Sequence, residues 1–192
     1  RYSNPRDYFH QMIDGVRSDL EPRQVQTVDE RYRYCSQVAS VVGRTSVHIF
    51  GFDSPSALKL AEKCGIAFQM TNILRDVKED AERGRVYLPR EDLDRFAVAS
   101  PATPSPQLHK LLDFEAQRAR EFYREAEPLV GMVHHRSRAS LWALIEIYHR
   151  LLERIIASGY DVHARPISLP AWEKAAIVLQ AYLKRSNLAG LL

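Results

Sequence analysis

Apolar residues recur along most of the chain at intervals of three and four, the period of helices that bury one face. Together with capping and helix-ending residues, this pattern predicts helices over residues 5–20, 28–51, 55–84, 107–127, 138–158 and 171–186. Thr27 and Glu30 form a capping-box pattern before the second helix, which Gly51 ends. Residues 99–107 are small, polar and rich in proline, which predicts a loop. No segment has the period of a strand, so we predict an all-α helical bundle forming a single domain over residues 1–192.

The composition narrows the function classes without selecting one. The 192 residues are 45% hydrophobic and 27% charged, enough for a real core, and the net charge of +3 suits an anionic ligand or a membrane surface. Proteins that bind nucleic acid concentrate far more basic charge on one face, so no nucleic-acid partner is expected. No apolar run reaches the roughly 18 residues of a transmembrane segment. Peripheral membrane contact stays open.

The cysteines and histidines predict neither a disulfide framework nor a zinc site. Cys35 and Cys64 are the only cysteines, and both lie inside helical patterns, as inert core thiols do. The seven histidines include no HExxH spacing. A reducing, cytoplasmic setting is therefore expected.

The predicted helix over residues 55–84 carries, from residue 65 onward, an ordered set of polar side chains. At 100° per residue, these side chains fall within an arc of about 80° that borders the apolar face of the helix. The members of this polar stripe are Gln69, Asn72, Asp76, Asp80 and Arg83. A purely solvated stripe would usually lie opposite the apolar face, so its position suggests a functional site.

Two aspartates one helical turn apart are suited to Mg²⁺, which often joins one or two carboxylates to substrate phosphates. Without such a cation, a diphosphate beside Asp76 and Asp80 would be repelled, since like charges roughly 4 Å apart cost about 4 kcal/mol at a surface-like dielectric. However, exposed carboxylates four residues apart cost a helix only about 0.2–0.5 kcal/mol, so the spacing also arises by chance. From spacing alone, a metal site and a solvated helix face both remain open.

Several sequence blocks resemble one enzyme family. NILRDVKED at residues 72–80, followed by GRVYLP at 84–89, resembles the second aspartate-rich motif of the squalene/phytoene synthase family, in particular of its bacterial members. YCSQVASVVG at residues 34–43 is similar to the family's YC..VA..VG signature, and IDGVRSDL at 13–20 to its IDGM..DL helix. The resemblance covers essentially the whole chain, with the 99–107 loop least alike.

This resemblance implies an all-α prenyltransferase with an isoprenoid-synthase-like helical bundle. Such an enzyme joins two allylic prenyl diphosphates, farnesyl or geranylgeranyl diphosphate, head to head through a cyclopropylcarbinyl diphosphate. Mg²⁺ would be held by two aspartate motifs on facing helices, with Asp76 and Asp80 in the second, assisted by Asn72. Gln69 would support the same cluster.

The resemblance also implies roles for residues outside the aspartate motif. Tyr34 would lie beside the reacting carbons and the diphosphate, although a tyrosine there also suits a core aromatic position. Residues lining the prenyl chain would be Val38, Ala39, Val42 and Gly43, for which ordinary helix packing is the alternative. Candidate diphosphate ligands are Arg83, from its place in the polar stripe, and Arg85 and Arg165, from motif match. Tyr148 fits the C-terminal pattern, but it also lies on an apolar stripe where core packing would explain it.

The family's first aspartate motif would lie upstream of residues 13–20, where this chain has no counterpart. We therefore expect the chain to be the C-terminal portion of a synthase without its N-terminal helices, and to be inactive alone. The apolar faces around Val38, Val42, Ile73 and Val77 would then be exposed to water.

The product is less constrained than the family. The motifs are shared by bacterial phytoene synthases and by bacterial enzymes of the squalene and hopanoid route, which stop at presqualene diphosphate; the squalene route is the expectation here. The alternative class is a relative that has lost catalysis and serves as an assembly or scaffold protein. A relative that has lost catalysis would not be expected to retain Asp76 and Asp80 beside Asn72.

Overall fold

The fold was analysed in a computed structural model that describes residues 6–164 and 166–189, with side chains through residue 184. Nine helices and two short strands occur in this part of the chain. They are α1 (Arg6–Arg17), β1 (Arg23–Gln24), α2 (Val28–Cys35), α3 (Val41–Phe50), α4 (Ser56–Glu82), β2 (Arg85–Val86), α5 (Arg90–Arg95), α6 (Pro106–Ala126), α7 (Leu129–Met132), α8 (Arg138–Ala157) and α9 (Ala171–Ala189). The all-α prediction is confirmed, and the six predicted helices correspond to α1, α2 with α3, α4, α6, α8 and α9.

The long α4 is the centre of the bundle. It packs against α6, α3, α8 and the segment between α2 and α3, so both its flanks are covered. Its apolar residues Met70, Ile73 and Leu74 are at most 4% exposed. The polar stripe therefore lies at the edge of a buried surface, as its position along the helix predicted.

The predicted helix over residues 28–51 is interrupted by a wide turn. Residues Ser36–Ser40 form a π-helical turn between α2 and α3, in which the N–H of Val41 donates to the carbonyl of Ser36. This turn lies against Gly65 of α4, where a Cβ atom would approach the Ser40 Cα to 2.5 Å. Such turns frequently occur at functional sites, and this one begins two residues after Tyr34.

The helix ends follow the predicted local chemistry. The Thr27 hydroxyl accepts a hydrogen bond from the N–H of Glu30 (3.2 Å), and the Glu30 carboxylate accepts one from the N–H of Gln26 (2.7 Å). Gly51 and Gly84 end α3 and α4 with φ of 75° and 74°, values that glycine adopts without strain.

The expectation that no strands form was wrong at one place. β1 and β2 pair in parallel, with Arg23 opposite Arg85 and Gln24 opposite Val86. Next to this pairing, Arg85 Nη1 contacts the carbonyl of Asp19 (3.4 Å), so the 3₁₀ turn Ser18–Leu20 lies near the C-terminal end of α4. Two residues per strand are too few for a period-2 pattern, so the sequence could not show it.

Two further predictions need correction: the end of the 99–107 loop and the exposure of two apolar residues of α4. The loop expected over residues 99–107 ends two residues early, because Ser105 caps α6 by accepting from the N–H of Leu108 and Pro106 occupies the first turn. Ile73 and Val77 are not exposed but 4% and 5% accessible. The segment from β2 to Leu88 folds back over them.

The remaining expectations concern thiols and membrane spans. Cys35 and Cys64 are free and buried, and burial raises the pKa of each thiol to about 12, as for inert core thiols. Within residues 6–164 and 166–189, no helix combines the length and the apolar character needed to cross a membrane.

Candidate active site

A polar pocket of about 220 Å³ lies where α4 meets the 3₁₀ turn, α2 and β2. Its lining residues are Asp19, Tyr34, Gln69, Asn72, Ile73, Arg75, Asp76, Asp80, Arg85 and Tyr87. Four of the five residues of the predicted polar stripe are thus together, and Tyr34 and Arg85 join them from other elements. The pocket combines three carboxylates with two guanidinium groups.

The aspartates of α4 are each paired with an arginine. Arg75 donates from Nε to Asp76 Oδ1 (2.7 Å) and from Nη2 to Asp76 Oδ2 (2.5 Å). Arg85 donates from Nη2 to Asp80 Oδ1 (3.1 Å). Burial raises the pKa of the Asp80 carboxyl, with Arg85 opposing this rise and Asp76 adding to it. Both ion pairs are one-fifth to one-third exposed, so solvent screens them only partly.

Asp19 joins two tyrosines at the wall of the pocket. Tyr87 donates its hydroxyl proton to Asp19 Oδ1 (2.6 Å), and Tyr34 donates to Asp19 Oδ2 (3.1 Å). The two rings stack with centroids 4.6 Å apart at an angle of 18°. Burial raises the pKa of Tyr34 well above its ordinary range and that of Tyr87 to about 12. Both phenols therefore stay neutral at physiological pH, with their protons directed to Asp19.

Two polar atoms at the pocket are buried without a hydrogen-bond partner. They are the amide oxygen of Asn72, an acceptor, and the Nε–H of Arg85, a donor. Buried polar groups usually find partners, and each missing one carries a desolvation cost of about 1–3 kcal/mol. The pocket thus offers an acceptor suited to a cation and a donor suited to an anion.

An apolar groove of about 310 Å³ adjoins this pocket, between α3, α4, α7 and α8. It is lined by the four residues expected to contact a prenyl chain and by Tyr148 of the C-terminal pattern; the four are Val38, Ala39, Val42 and Gly43. Gln69 and Asn72 line both cavities, so the polar pocket and the apolar groove meet at these two amides. From Asn72 to Ala61 the groove follows α4 for roughly 16 Å, taking 1.5 Å per residue.

Some residues that line the apolar groove also hold the helices together. A Cβ at Gly43 would lie 2.9 Å from the carbonyl oxygen of Ala61, so glycine permits the close approach of α3 and α4. Tyr148 stacks on Phe68, with centroids 4.3 Å apart at 14°. Val42 is 45% exposed, which agrees with the expected open face at this position.

Of the three predicted diphosphate ligands, Arg85 lines the pocket and Arg83 does not. Arg83 caps the C-terminus of α4, is 60% exposed and pairs with Glu79, away from the lining residues. The angular position predicted for Arg83 does not apply, because the helix ends at Glu82. Arg165 lies outside the described residues.

Three polar residues of the pocket were missed by the sequence analysis. Asp19 and Tyr87 lie inside the blocks used for the family resemblance, so the motifs themselves carried that signal. Arg75 lies about 60° outside the polar stripe at 100° per residue, but its long side chain reaches back to Asp76.

The donor set fits Mg²⁺ as an open site rather than a closed one. Among the described residues, no three histidine, cysteine, aspartate or glutamate side chains converge on one point. Asp76 and Asp80 supply two carboxylates one turn apart, and Asn72 adds a buried, unpartnered amide oxygen. Mg²⁺ commonly uses one or two carboxylates plus substrate phosphates, which is the arrangement this set allows.

Comparison with known proteins identifies the family to which this chain belongs. The sequence profile of the squalene/phytoene synthase family matches residues 1–173. The chain belongs to this family. It is 33% identical to the 15-cis-phytoene synthase of Synechococcus elongatus, over 98% of this chain and 66% of that protein. It is 38% identical to the phytoene synthase of Mycobacterium tuberculosis, over 94% of this chain and 62% of that protein. The chain thus spans slightly less than two thirds of the length of these relatives.

Solved structures of family members share the fold. A dehydrosqualene synthase superimposes with a TM-score of 0.81 and 30% identity, covering 93% of this chain and 65% of that one. A squalene synthase from Alicyclobacillus acidocaldarius gives a TM-score of 0.75 and 26% identity, covering 82% and 61%. The names of the sequence relatives favour phytoene synthase, against our expectation of the squalene route. Nothing in these comparisons supports the scaffold alternative.

Proposed function

We propose that this protein, in its full length, joins two molecules of geranylgeranyl diphosphate head to head in a phytoene synthase reaction that depends on Mg²⁺. The observation that carries the proposal is the junction at Gln69 and Asn72, where a charged pocket opens into an apolar groove. A prenyl diphosphate has the same two halves, a charged head and a long apolar tail. The names of the sequence relatives support the C20 substrate over the C15 one.

The polar pocket would promote departure of the diphosphate. In the first step the allylic C–O bond breaks, the diphosphate keeps the electron pair, and an allylic cation remains. Arg75 and Arg85 supply donors that can share the charge on the departing group. Asp76, Asp80 and the Asn72 amide oxygen would hold Mg²⁺, which when bound supplies Lewis-acid stabilisation of the diphosphate.

The groove and the tyrosine pair would protect the cation. Apolar walls exclude water, which would otherwise capture the cation as an alcohol. The Tyr34 hydroxyl donates its hydrogen bond to Asp19, so the lone pairs of its oxygen rather than its O–H face the pocket. The double bond of the second substrate then attacks the cation, and loss of a proton closes the cyclopropane of the cyclopropylcarbinyl diphosphate.

Product analysis of the full-length protein with Mg²⁺ and either geranylgeranyl or farnesyl diphosphate tests this proposal. We expect a C40 head-to-head product from the C20 substrate and little turnover of the C15 substrate. Asp76→Asn and Asp80→Asn should each lower kcat by at least about a hundredfold, the scale seen when one charge-stabilising group is removed.

Glu79→Gln is the matched control for these variants. Glu79 lies on α4 beside the same aspartates, but its carboxylate is exposed and pairs with Arg83 outside the pocket. Removing its charge should leave turnover near the wild-type value. Near-wild-type activity of Asp76→Asn or Asp80→Asn would remove that residue from the metal site, and a head-to-tail product would refute the reaction.

The cellular setting belongs to the same proposal. Two free, buried cysteines suit a cytoplasmic location, and the long prenyl tails of the substrates favour peripheral contact with a membrane. Co-sedimentation of the full-length protein with phospholipid vesicles measures that contact.

A further inference from the structure

Two of the three carboxylates in the polar pocket, Asp76 and Asp80, are neutralised by arginines of the same pocket. Both oxygens of Asp76 accept from Arg75, and one oxygen of Asp80 accepts from Arg85. A divalent cation arriving at these aspartates would approach two guanidinium groups at close range and be repelled by them. Full use of the carboxylates by Mg²⁺ therefore requires the arginines to move away.

Both arginines have unused hydrogen-bond donors or a solvent-exposed side chain that would allow them to reorient within the pocket. Arg85 Nε–H is buried without a partner, and its Nη1 makes only a long contact (3.4 Å) with the carbonyl of Asp19. Arg75 is about one-third exposed and carries a flexible side chain. A planar guanidinium with free N–H groups binds a phosphate as readily as a carboxylate.

Resting on the proposed function, we propose that Arg75 and Arg85 are exchangeable counterions. In the observed conformation they neutralise Asp76 and Asp80; in the substrate complex the aspartates face Mg²⁺ and the arginines turn to the diphosphate. The two aspartates and the two arginines thereby change partners, and none of the four is left without a counterion.

The exchange predicts strong coupling between the two ligands. Alone, Mg²⁺ must compete with the arginines, and a diphosphate must compete with the aspartates. When both are present, each releases the groups that bind the other, and the coupling must be reciprocal because the free energies form a closed cycle. Mg²⁺ and diphosphate should therefore bind weakly alone and tightly together.

The decisive variant is Arg75→Gln, because exchange gives its two effects opposite signs. Freed from its counterion, Asp76 should bind Mg²⁺ alone roughly three- to tenfold more tightly. Without the guanidinium, inorganic pyrophosphate in saturating Mg²⁺ should bind roughly tenfold more weakly. Arg75→Lys keeps the charge without the bidentate geometry and should fall between the two.

Isothermal titration of the full-length protein with Mg²⁺, and with inorganic pyrophosphate in Mg²⁺, measures both constants without any turnover. Arg90→Gln is the control, since Arg90 forms an exposed pair with Asp94 outside the pocket and should change neither constant. Circular dichroism verifies that each variant is folded.

The possible outcomes separate the exchange from the proposed function. Tighter Mg²⁺ binding with weaker pyrophosphate binding in Arg75→Gln supports the exchange, even in a protein that forms another product. Unchanged or weaker Mg²⁺ binding would overturn it, since Arg75 would then be no competitor of the metal. Unchanged pyrophosphate binding would also overturn it, because the arginine would not have moved to the diphosphate.

Discussion

Glu115 offers a stability test whose size follows from its surroundings. It lies on α6 with a side chain 1% exposed, and it accepts hydrogen bonds from Arg31 of α2 and, at 3.0 Å, from Arg118. Arg118 also donates to Asp92 of α5 (2.5 Å). Arg31 is itself 1% exposed, and its Nε and Nη2 have no hydrogen-bond partner, so Glu115 is its sole ion-pair partner among the described residues.

Removing the charge of Glu115 leaves Arg31 buried and uncompensated. Breaking a buried pair from one side typically costs about 3–5 kcal/mol. Set against the roughly 5–15 kcal/mol of a whole domain, this is about a fifth or more of the free energy of unfolding. We expect Glu115→Gln, which keeps the shape of the side chain, to lose about 3 kcal/mol, and Glu115→Ala to lose more because it also leaves a cavity.

Urea unfolding followed by circular dichroism at 222 nm measures these differences. Glu121→Gln is the matched control, because Glu121 lies on the same helix with an exposed side chain and should change stability by less than about 0.5 kcal/mol. The double variant Arg31→Met/Glu115→Leu replaces the pair by apolar groups and should recover most of the loss. A Glu115→Gln protein as stable as the control would refute the reasoning.

Three further predictions concern the site and its support. Tyr34→Phe should keep stability but lower kcat or divert product to prenyl alcohols, and unchanged kinetics and products would reduce Tyr34 to a core aromatic. Burial raises the pKa of Tyr87 from 10 to about 12, so the stability it contributes is complete below pH 10 and lost as the pH rises toward 12; Tyr87→Phe should flatten that part of the stability profile. Gly65→Ala would bring a Cβ within 2.5 Å of the Ser40 backbone, and we expect a loss of about 1–3 kcal/mol in urea unfolding, with no loss disproving the close contact.

The helices and the polar stripe could be predicted from the sequence because both depend on local periodicity. Asp76 and Asp80 share a face of one helix, so 100° per residue places them correctly whatever the rest of the chain does. The same arithmetic misplaced Arg83, which follows the last residue of α4 and no longer obeys the helical repeat.

Other parts of the site depend on contacts that no local pattern records. Asp19 reaches the pocket through a two-residue parallel pairing of β1 with β2, far too short to mark the sequence. Arg75 joins through the length of its side chain rather than its angular position. The π-helical turn after Tyr34 has no residue signature and is stabilised by its packing on α4.

The central claim is that one prenyl diphosphate lies with its head in the polar pocket and its tail in the apolar groove. A crystal structure of the full-length protein with Mn²⁺ and a non-ionising thio analogue of geranylgeranyl diphosphate tests it most directly, because anomalous scattering locates the metal independently. We predict a metal peak within coordination distance of Asp76 and Asp80, and the prenyl chain between α3, α4 and α8. A metal peak remote from both aspartates, or a chain outside that groove, would contradict the account.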